Sequence, residues 1–291
     1  MDYSADMKNF FARLVLIVLA VAANRVVAAV EFVDDDSLRR MLQHHLEQLN
    51  ASTNKVSLAT LQSQLDRTGA VVRIARAASR QREWPEVFSR VRNSVFIIGE
   101  LYKCKKCHSW HVNTASGFVI SADGALVTNH HVIRDSEGAV IGAMNAAGEF
   151  FPIKEVLADS RREDIAIVRL DGANFEPLPL LADKPVGSPV AVLSHPDKSF
   201  YSLTSGIISR YSLERVSEQS HTRRHTLVIT ADYAKGSSGA PVFDNCGNVV
   251  GLASSTESVY YSEDHGKQEN LQQVFKFCVP AGCVLDLIRE R

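Results

Sequence analysis

The sequence predicts an all-β protein, a barrel or a sandwich, with a helical segment in front of it. Two observations carry this. Up to about Ser94 the apolar residues return at three and four, as one face of a helix requires; beyond it they return at two, as a strand requires. The later runs are "SVFIIGELYK", "ASGFVIS", "GALVTN", "DIAIVRL", "PVAVLS", "SLTSGIISRYS", "HTLVITA", "APVF", "NVVGLAS" and "QQVFKFCV". They are short, rich in β-branched and aromatic residues, bounded by Gly, Asp, Asn and Pro, and separated by no long helical pattern.

Taken in order, residues 1–29 read as a secretory signal. Lys8 and Arg13 precede the apolar run "LVLIVLAVAA", and the small residues of "VVAAV" place cleavage after Ala29. Asn24 and Arg25 interrupt the run before it reaches the roughly 20 residues that span a bilayer. The expected location is secreted or periplasmic, with no membrane attachment after cleavage. There disulfides persist, and the odd number of cysteines (Cys104, Cys107, Cys246, Cys278, Cys283) leaves at least one outside a bridge. Residues 30–93 read as a helical N-terminal segment. Asp34 to Asp36 start the helix "DDDSLRRMLQHHLEQL", and "GAVVRIARAASRQREWPEVFSRVRNS" continues the pattern, with Arg73, Arg76 and Arg80 on one solvated face. "PAGCVLDLIRER" reads as a closing helix over 280–291. The composition, 45% hydrophobic and 22% charged in 291 residues, is that of an ordinary globular chain. A net charge of -1 lacks the strongly basic balance of a nucleic-acid binder held by counterion release. No internal repeat, low-complexity tract or linker stands out.

Three segments, "SADGALVTNHHVI", "SRREDIAIVRL" and "AKGSSGAPVF", each put a polar, reactive side chain at the end of an apolar strand. They supply His, Asp and Ser, the set that turns a weak hydroxyl into a nucleophile. The imidazole takes the proton, and the carboxylate fixes its tautomer and stabilises its charge.

In that order, "ASGFVISADGALVTNHHVI", "DIAIV" and "GSSGAPVFDNCGNVVGLAS" resemble the trypsin-like (chymotrypsin-fold) serine peptidases, in the HtrA/Deg branch, over roughly Val87 to the C-terminus. The resemblance implies a double six-stranded β-barrel over 94–291, with the first barrel over 94–171 and the second over 172–279. It implies a serine endopeptidase acting on a protein or peptide through an acyl-enzyme, with no cofactor and no catalytic metal. The general base then falls on His131, the second histidine of "TNHHV", and the orienting carboxylate on Asp164, leaving Asp159 as a turn residue. The nucleophile falls on Ser238 rather than Ser237, and the oxyanion donors are the backbone N–H groups of Gly236 and Ser238, with Gly239 packed behind the serine. The implied walls of the substrate pocket are Asp232, Tyr233, Ala234 and Lys235 on one side and Gly251, Ala253 and Ser254 on the other. Asp232 stands six residues before Ser238, where a selector for basic side chains would sit. An α/β-hydrolase is excluded, since its serine comes first and its motif has glycine where Ala240 stands. HtrA relatives usually continue into PDZ modules; the expectation here is a member without one, its N-terminal helices an oligomerising or regulatory element.

"YKCKKCHSWH" leaves several readings open. Cys104, Cys107 and His108 match the Cys-x-x-Cys-His pattern of covalent haem attachment. The same cysteines, with His108 or His111, supply half of a zinc site, or they close a local disulfide. Cys278 and Cys283 flank the turn into the last helix and could bridge each other, or one could reach Cys246; spacing does not decide. Two functional alternatives follow: a catalytically silent binding protein that kept the fold, and an exported haem or metal protein.

Overall fold

The computed structural model describes residues 30–216, 220–264 and 267–289, and the signal expected over 1–29 lies outside the described residues. Strands β2 (Val95–Lys103), β3 (Trp110–Val119), β4 (Ala125–Thr128), β5 (Val140–Met144), β6 (Phe150–Ser160) and β7 (Ile165–Leu170) close a barrel in the order β2-β3-β4-β7-β6-β5. Strands β8 (Pro189–Ser194), β9 (Ser202–Arg215), β10 (Arg223–Ile229), β11 (Pro241–Asp244), β12 (Val249–Asp264) and β13 (Lys267–Pro280) close a second, in the order β10-β13-β12-β11-β8-β9. This is the all-β double six-stranded barrel of the trypsin-like fold.

The apolar run "VFII" in β2 has no polar face because both its faces are buried. Phe96 and Ile98 fill the interior of the first barrel with Leu126, Val156 and Val168, while Val95 and Ile97 join a core that continues outside it. That outer core takes in Leu42 and Leu46 of helix α1 (Asp35–Ala51) and reaches Phe243, Val249 and Leu252 of the second barrel. Leu42 and Leu46 are fully buried, worth about 1.5–3 kcal/mol each by area removed from water. Asp34 caps α1, its carboxylate accepting from the Ser37 N–H at 2.9 Å. Because its apolar face is spent on the first barrel, a homo-oligomer through α1 would have to use the outer face.

The N-terminal segment is less helical than its pattern suggests. Helix α2 (Leu58–Gln62) is followed by a two-residue strand β1 (Ala70–Val71), and helix α3 (Trp84–Val91) begins only where Pro85 sits in its first turn. Between β1 and α3 the chain is a strap across the β11–β12 turn. The Asn248 side chain accepts from the Ala78 N–H at 2.7 Å and donates to the Ala78 carbonyl at 2.9 Å, and the Arg82 N–H donates to the Asn245 carbonyl at 2.8 Å. Arg73, Arg76 and Arg80 therefore share no helical face. At the other end, α5 covers only Ala281–Leu285, not 280–291, because Ile288–Arg289 forms β14, which pairs in parallel with β1.

All five cysteines are free thiols, and none of the pairings that the spacing left open is formed here. Cys278 faces the interior of the second barrel, 3.7 Å from the Tyr233 hydroxyl, while Cys283 on α5 belongs to a different core cluster. Burial pushes both thiols up to about 12.

Candidate active site

The stretch "TNHHV" crosses from β4 into the one-turn helix α4 (His130–Arg134), and each polar side chain in it meets a different acceptor group. Thr128 donates its hydroxyl to the Ser116 carbonyl at 2.8 Å, and Asn129 donates its amide to the Asp164 carbonyl at 2.9 Å. The second bond matters because Asp164 has φ 58, a left-handed conformation that costs a non-glycine residue about 1–3 kcal/mol unless its surroundings hold it. Held so, the Asp164 carboxylate accepts from three groups. They are the His131 ring Nδ1 at 2.9 Å, the His131 backbone N–H at 3.1 Å and the Ser254 hydroxyl at 2.7 Å. Burial raises the Asp164 pKa, but the bonds from His131 and Ser254 outweigh it and hold the carboxyl below its ordinary value. An ionised carboxylate only accepts, so His131 carries its proton on Nδ1 and presents Nε2 as a base.

His130 is separated from this chemistry by its direction on α4. Its Nδ1 lies 2.6 Å from the Asp159 carboxylate, both side chains buried. Asp159 is thus no turn residue but a strand residue of β6 inside a second His–Asp pair, which also accepts from the Asp66 N–H.

Ser238 lies in the "GSSGAP" turn, and with Gly236, Lys235 and His131 it lines a cleft of about 370 Å³. Among the described residues no hydrogen bond joins the Ser238 hydroxyl to His131. The turn itself is fixed. The Lys235 carbonyl accepts from the Asp197 N–H at 2.7 Å and the Ser237 carbonyl from the Ala240 N–H at 2.9 Å. In a trans peptide the next N–H points away from the carbonyl before it, so these two bonds turn the Gly236 and Ser238 N–H groups to the opposite side. Among the described residues neither N–H meets an acceptor, as donors awaiting an oxyanion require. Gly236 has φ 96, and a Cβ there would lie 2.5 Å from the His195 carbonyl; Gly239 has φ 83 and a Cβ would lie 2.2 Å from the Ser116 carbonyl. Both positions require glycine, one for the turn and one for the approach of the two barrels.

Several supports were not visible as motifs. Ser116 on β3 donates its N–H to the Ser238 carbonyl at 2.8 Å and its hydroxyl to the Gly236 carbonyl at 3.0 Å, joining the barrels at the "GSSGAP" turn. His195, fully buried and held neutral near pKa about 3 by burial, accepts from the Tyr201 N–H and anchors the loop that carries Asp197. That loop is tied to α1, since Asp35 accepts from the Phe200 N–H at 2.8 Å. Gln62 of α2 donates to the carbonyls of Ile133, Arg134 and Ser136, satisfying the end of the helix that bears His131. The segment ahead of the barrels thus touches the supports of both His131 and the Gly236–Ser238 turn.

The expected pocket walls divide. Lys235 lines the cleft, and Ala234 closes the turn by accepting from the Ser237 N–H. Tyr233 is buried, its hydroxyl donating to the Ser255 carbonyl at 2.9 Å. Gly251 and Ala253 lie inside β12, with the Ala253 carbonyl accepting from the Gly239 N–H, and Ser254 serves Asp164. Asp232 points away: its side chain is 83% exposed and pairs with the Lys276 ammonium at 3.4 Å. At the far end of the cleft, Glu100, Asn113 and Asp135 also line a cavity of about 730 Å³ that reaches Cys104 and Trp110 on the β2–β3 hairpin. There Cys107 and His111 approach to 3.0 Å, whereas His108, at φ 58, belongs to the turn. The Ser109 N–H and the Cys104 thiol hold the Cys107 thiol below its ordinary value.

A family model described as a trypsin-like peptidase domain matches residues 115–252, a range that includes His131, Asp164 and Ser238. Among curated proteins, the serine endoprotease DegS of Haemophilus influenzae is 27% identical over 181 residues, covering 61% of this chain and 50% of the relative. The chloroplastic protease Do-like 1 of Arabidopsis thaliana is 32% identical over 145 residues, covering 48% of this chain and 32% of the relative. A probable periplasmic DegP-like serine endoprotease of Pseudomonas fluorescens is 30% identical over 144 residues, covering 48% and 28%. The chain spans half or less of the length of these relatives. Among solved structures, the HtrA-type protease AlgW with a bound decapeptide aligns at TM-score 0.54 and 16% identity, over 70% of this chain and 65% of the other. Rv3671c from M. tuberculosis, in an inactive mutant form, aligns at TM-score 0.52 and 21% identity over 73% and 95%. At these identities the structural likeness is one of fold. Residues 115–252 therefore carry a trypsin-like peptidase domain, and the curated relatives that the chain resembles are DegS-, Do- and DegP-like proteases.

Proposed function

We propose that the protein is a serine endopeptidase that cleaves peptide bonds through an acyl-enzyme. The observation that carries this reading is the meeting of His131, Ser238 and Gly236 around one cleft, with Asp164 bonded to the far side of His131. In the first step Ser238 Oγ attacks the scissile carbonyl carbon while His131 Nε2 takes its proton, and the carbonyl oxygen gains charge facing the N–H groups of Gly236 and Ser238. His131 then returns the proton to the leaving amine. Water, deprotonated by the same imidazole, releases the acyl group. A fluorophosphonate probe tests the proposal: we expect a covalent adduct that peptide mass spectrometry maps to Ser238. An intact, folded protein that forms none would overturn it. One observation favours the second reading, a silent binding protein, namely the missing hydrogen bond between Ser238 and His131. Catalytic hydrogen bonds are often long in the absence of substrate, which is why reactivity rather than distance decides.

The relatives' naming as periplasmic supports a periplasmic or secreted location. Peptides bound in HtrA-type structures support a peptide substrate. Selection of basic side chains by Asp232 has no support in its geometry, because the carboxylate is exposed and already paired with Lys276. With peptides that vary only the residue before the cut bond, we expect no preference for Arg or Lys over aliphatic side chains; a hundredfold preference lost in Asp232→Ala would restore the selector.

A further inference from the structure

The β2–β3 hairpin carries a cluster that proteolysis does not use. The sulfurs of Cys104 and Cys107 and the ring nitrogen of His111 all lie within 4.8 Å of one another. A tetrahedral zinc ion with Zn–S near 2.3 Å and Zn–N near 2.0–2.1 Å sets its ligand atoms about 3.5–3.8 Å apart, so only small adjustments separate this cluster from a closed set. Two features of the chain prepare it. The turn is closed by its own backbone, the Cys104 N–H donating to the Ser109 carbonyl at 2.9 Å and the His108 N–H to the Cys104 carbonyl at 3.0 Å, while the Lys106 N–H points at the Cys104 sulfur at 3.4 Å. His111 is fixed by its place opposite Tyr102 in the ladder, the two rings stacked at 5.7 Å, and this orientation puts Nε2 3.0 Å from the Cys107 sulfur.

We infer that Cys104, Cys107 and His111 form a zinc site, with two thiolates and one neutral imidazole as ligands and a fourth position for water. Two thiolates neutralise the dication, so the ion adds no net charge beside Lys103, Lys105 and Lys106. The third ligand is His111, not the His108 of the Cys-x-x-Cys-His pattern. Because Cys104 borders the cavity that shares Glu100, Asn113 and Asp135 with the Ser238 cleft, the ion would pin the outer wall of that groove. The inference does not depend on the proposed peptidase activity.

The test uses the full chain with its thiols reduced and counted, titrated with Co²⁺ and then Zn²⁺. We expect one equivalent per chain, a thiolate-to-cobalt charge-transfer band that Zn²⁺ abolishes, and an affinity loss of at least about 100-fold in Cys107→Ser and His111→Ala. His108→Ala should bind like the wild type, with circular dichroism showing that each variant is folded. Wild-type affinity in His111→Ala, loss of binding in His108→Ala, or no stoichiometric binding by the reduced chain would each overturn the site.

Discussion

Ser238→Ala is expected to lower kcat/KM on a peptide substrate by about 10⁶-fold, and Asp164→Asn by about 10⁴-fold, both chiefly in kcat. The serine supplies the attacking oxygen, so nothing replaces it but water. The aspartate acts through His131, and its loss is chemical rather than steric. An amide of the same shape would offer its N–H₂ or its oxygen to His131 Nδ1, and the Ser254 hydroxyl and His131 N–H that now converge on the carboxylate favour the oxygen less strongly than they favour a charge. The imidazole is then free to adopt the tautomer with its proton on Nε2, where it cannot act as a base. Because the Asp164 pKa lies below its unfolded value, its ionisation stabilises the fold above the ordinary carboxylate pKa, and this is lost as pH falls through the depressed value. Asp164→Asn should therefore also unfold more readily at neutral pH, with the difference shrinking in acid. Steady-state kinetics and thermal melts check both; an Asp164→Asn enzyme within tenfold of wild type would remove Asp164 from the mechanism.

The parts of this site legible in the sequence are those whose chemistry admits few residue types. A base, its carboxylate and a serine between glycines can be found by kind and order, and two-residue periodicity suffices for strands that bury alternate faces. What was not legible depends on contacts between distant segments. Residues 72–83 contain alanines and arginines with good helix propensity, yet the chain runs extended because Asn248 and Asn245, far along the sequence, take its backbone hydrogen bonds. Nothing local distinguishes Asp159 as the partner of His130, and the spacing left His108 and His111 equally open beside the cysteines; it is the β2–β3 register that sets His111 3.0 Å from the Cys107 sulfur. Gln62 and Asp35 lie in no motif, and Ser116 lies in a quoted stretch that assigns it no role, although each holds a part of the site in place. The segment that resembles no peptidase thus carries two of the site's supports.

Gly236→Ala is expected to reduce kcat by about 10²–10³-fold with KM little changed, the loss of one oxyanion donor. A methyl group at this position meets the His195 carbonyl at 2.5 Å, and the φ of 96 is one that an L side chain rarely adopts. The turn can relieve this only by rotating about Gly236, and the movement available is limited by what lies behind it. His195 is fully buried, and Asp197 is bonded to the Lys235 carbonyl. Rotation must break that bond, and freeing the Lys235 carbonyl releases the constraint that turns the Gly236 N–H to the other side. The binding groups of the cleft wall are untouched, so substrate still binds while the oxyanion loses a partner. Strain of about 1–3 kcal/mol would accompany this, and stability alone must not be mistaken for catalysis. Gly247→Ala supplies the control: its φ is 85, equally left-handed, but a methyl there meets only Val91 at 3.9 Å. It should lower the melting temperature by a few degrees, about 2–4 °C per kcal/mol for a domain of this size, and leave kcat unchanged. If Gly236→Ala loses no more activity than Gly247→Ala at equal loss of stability, the backbone N–H at 236 does not face the developing oxyanion.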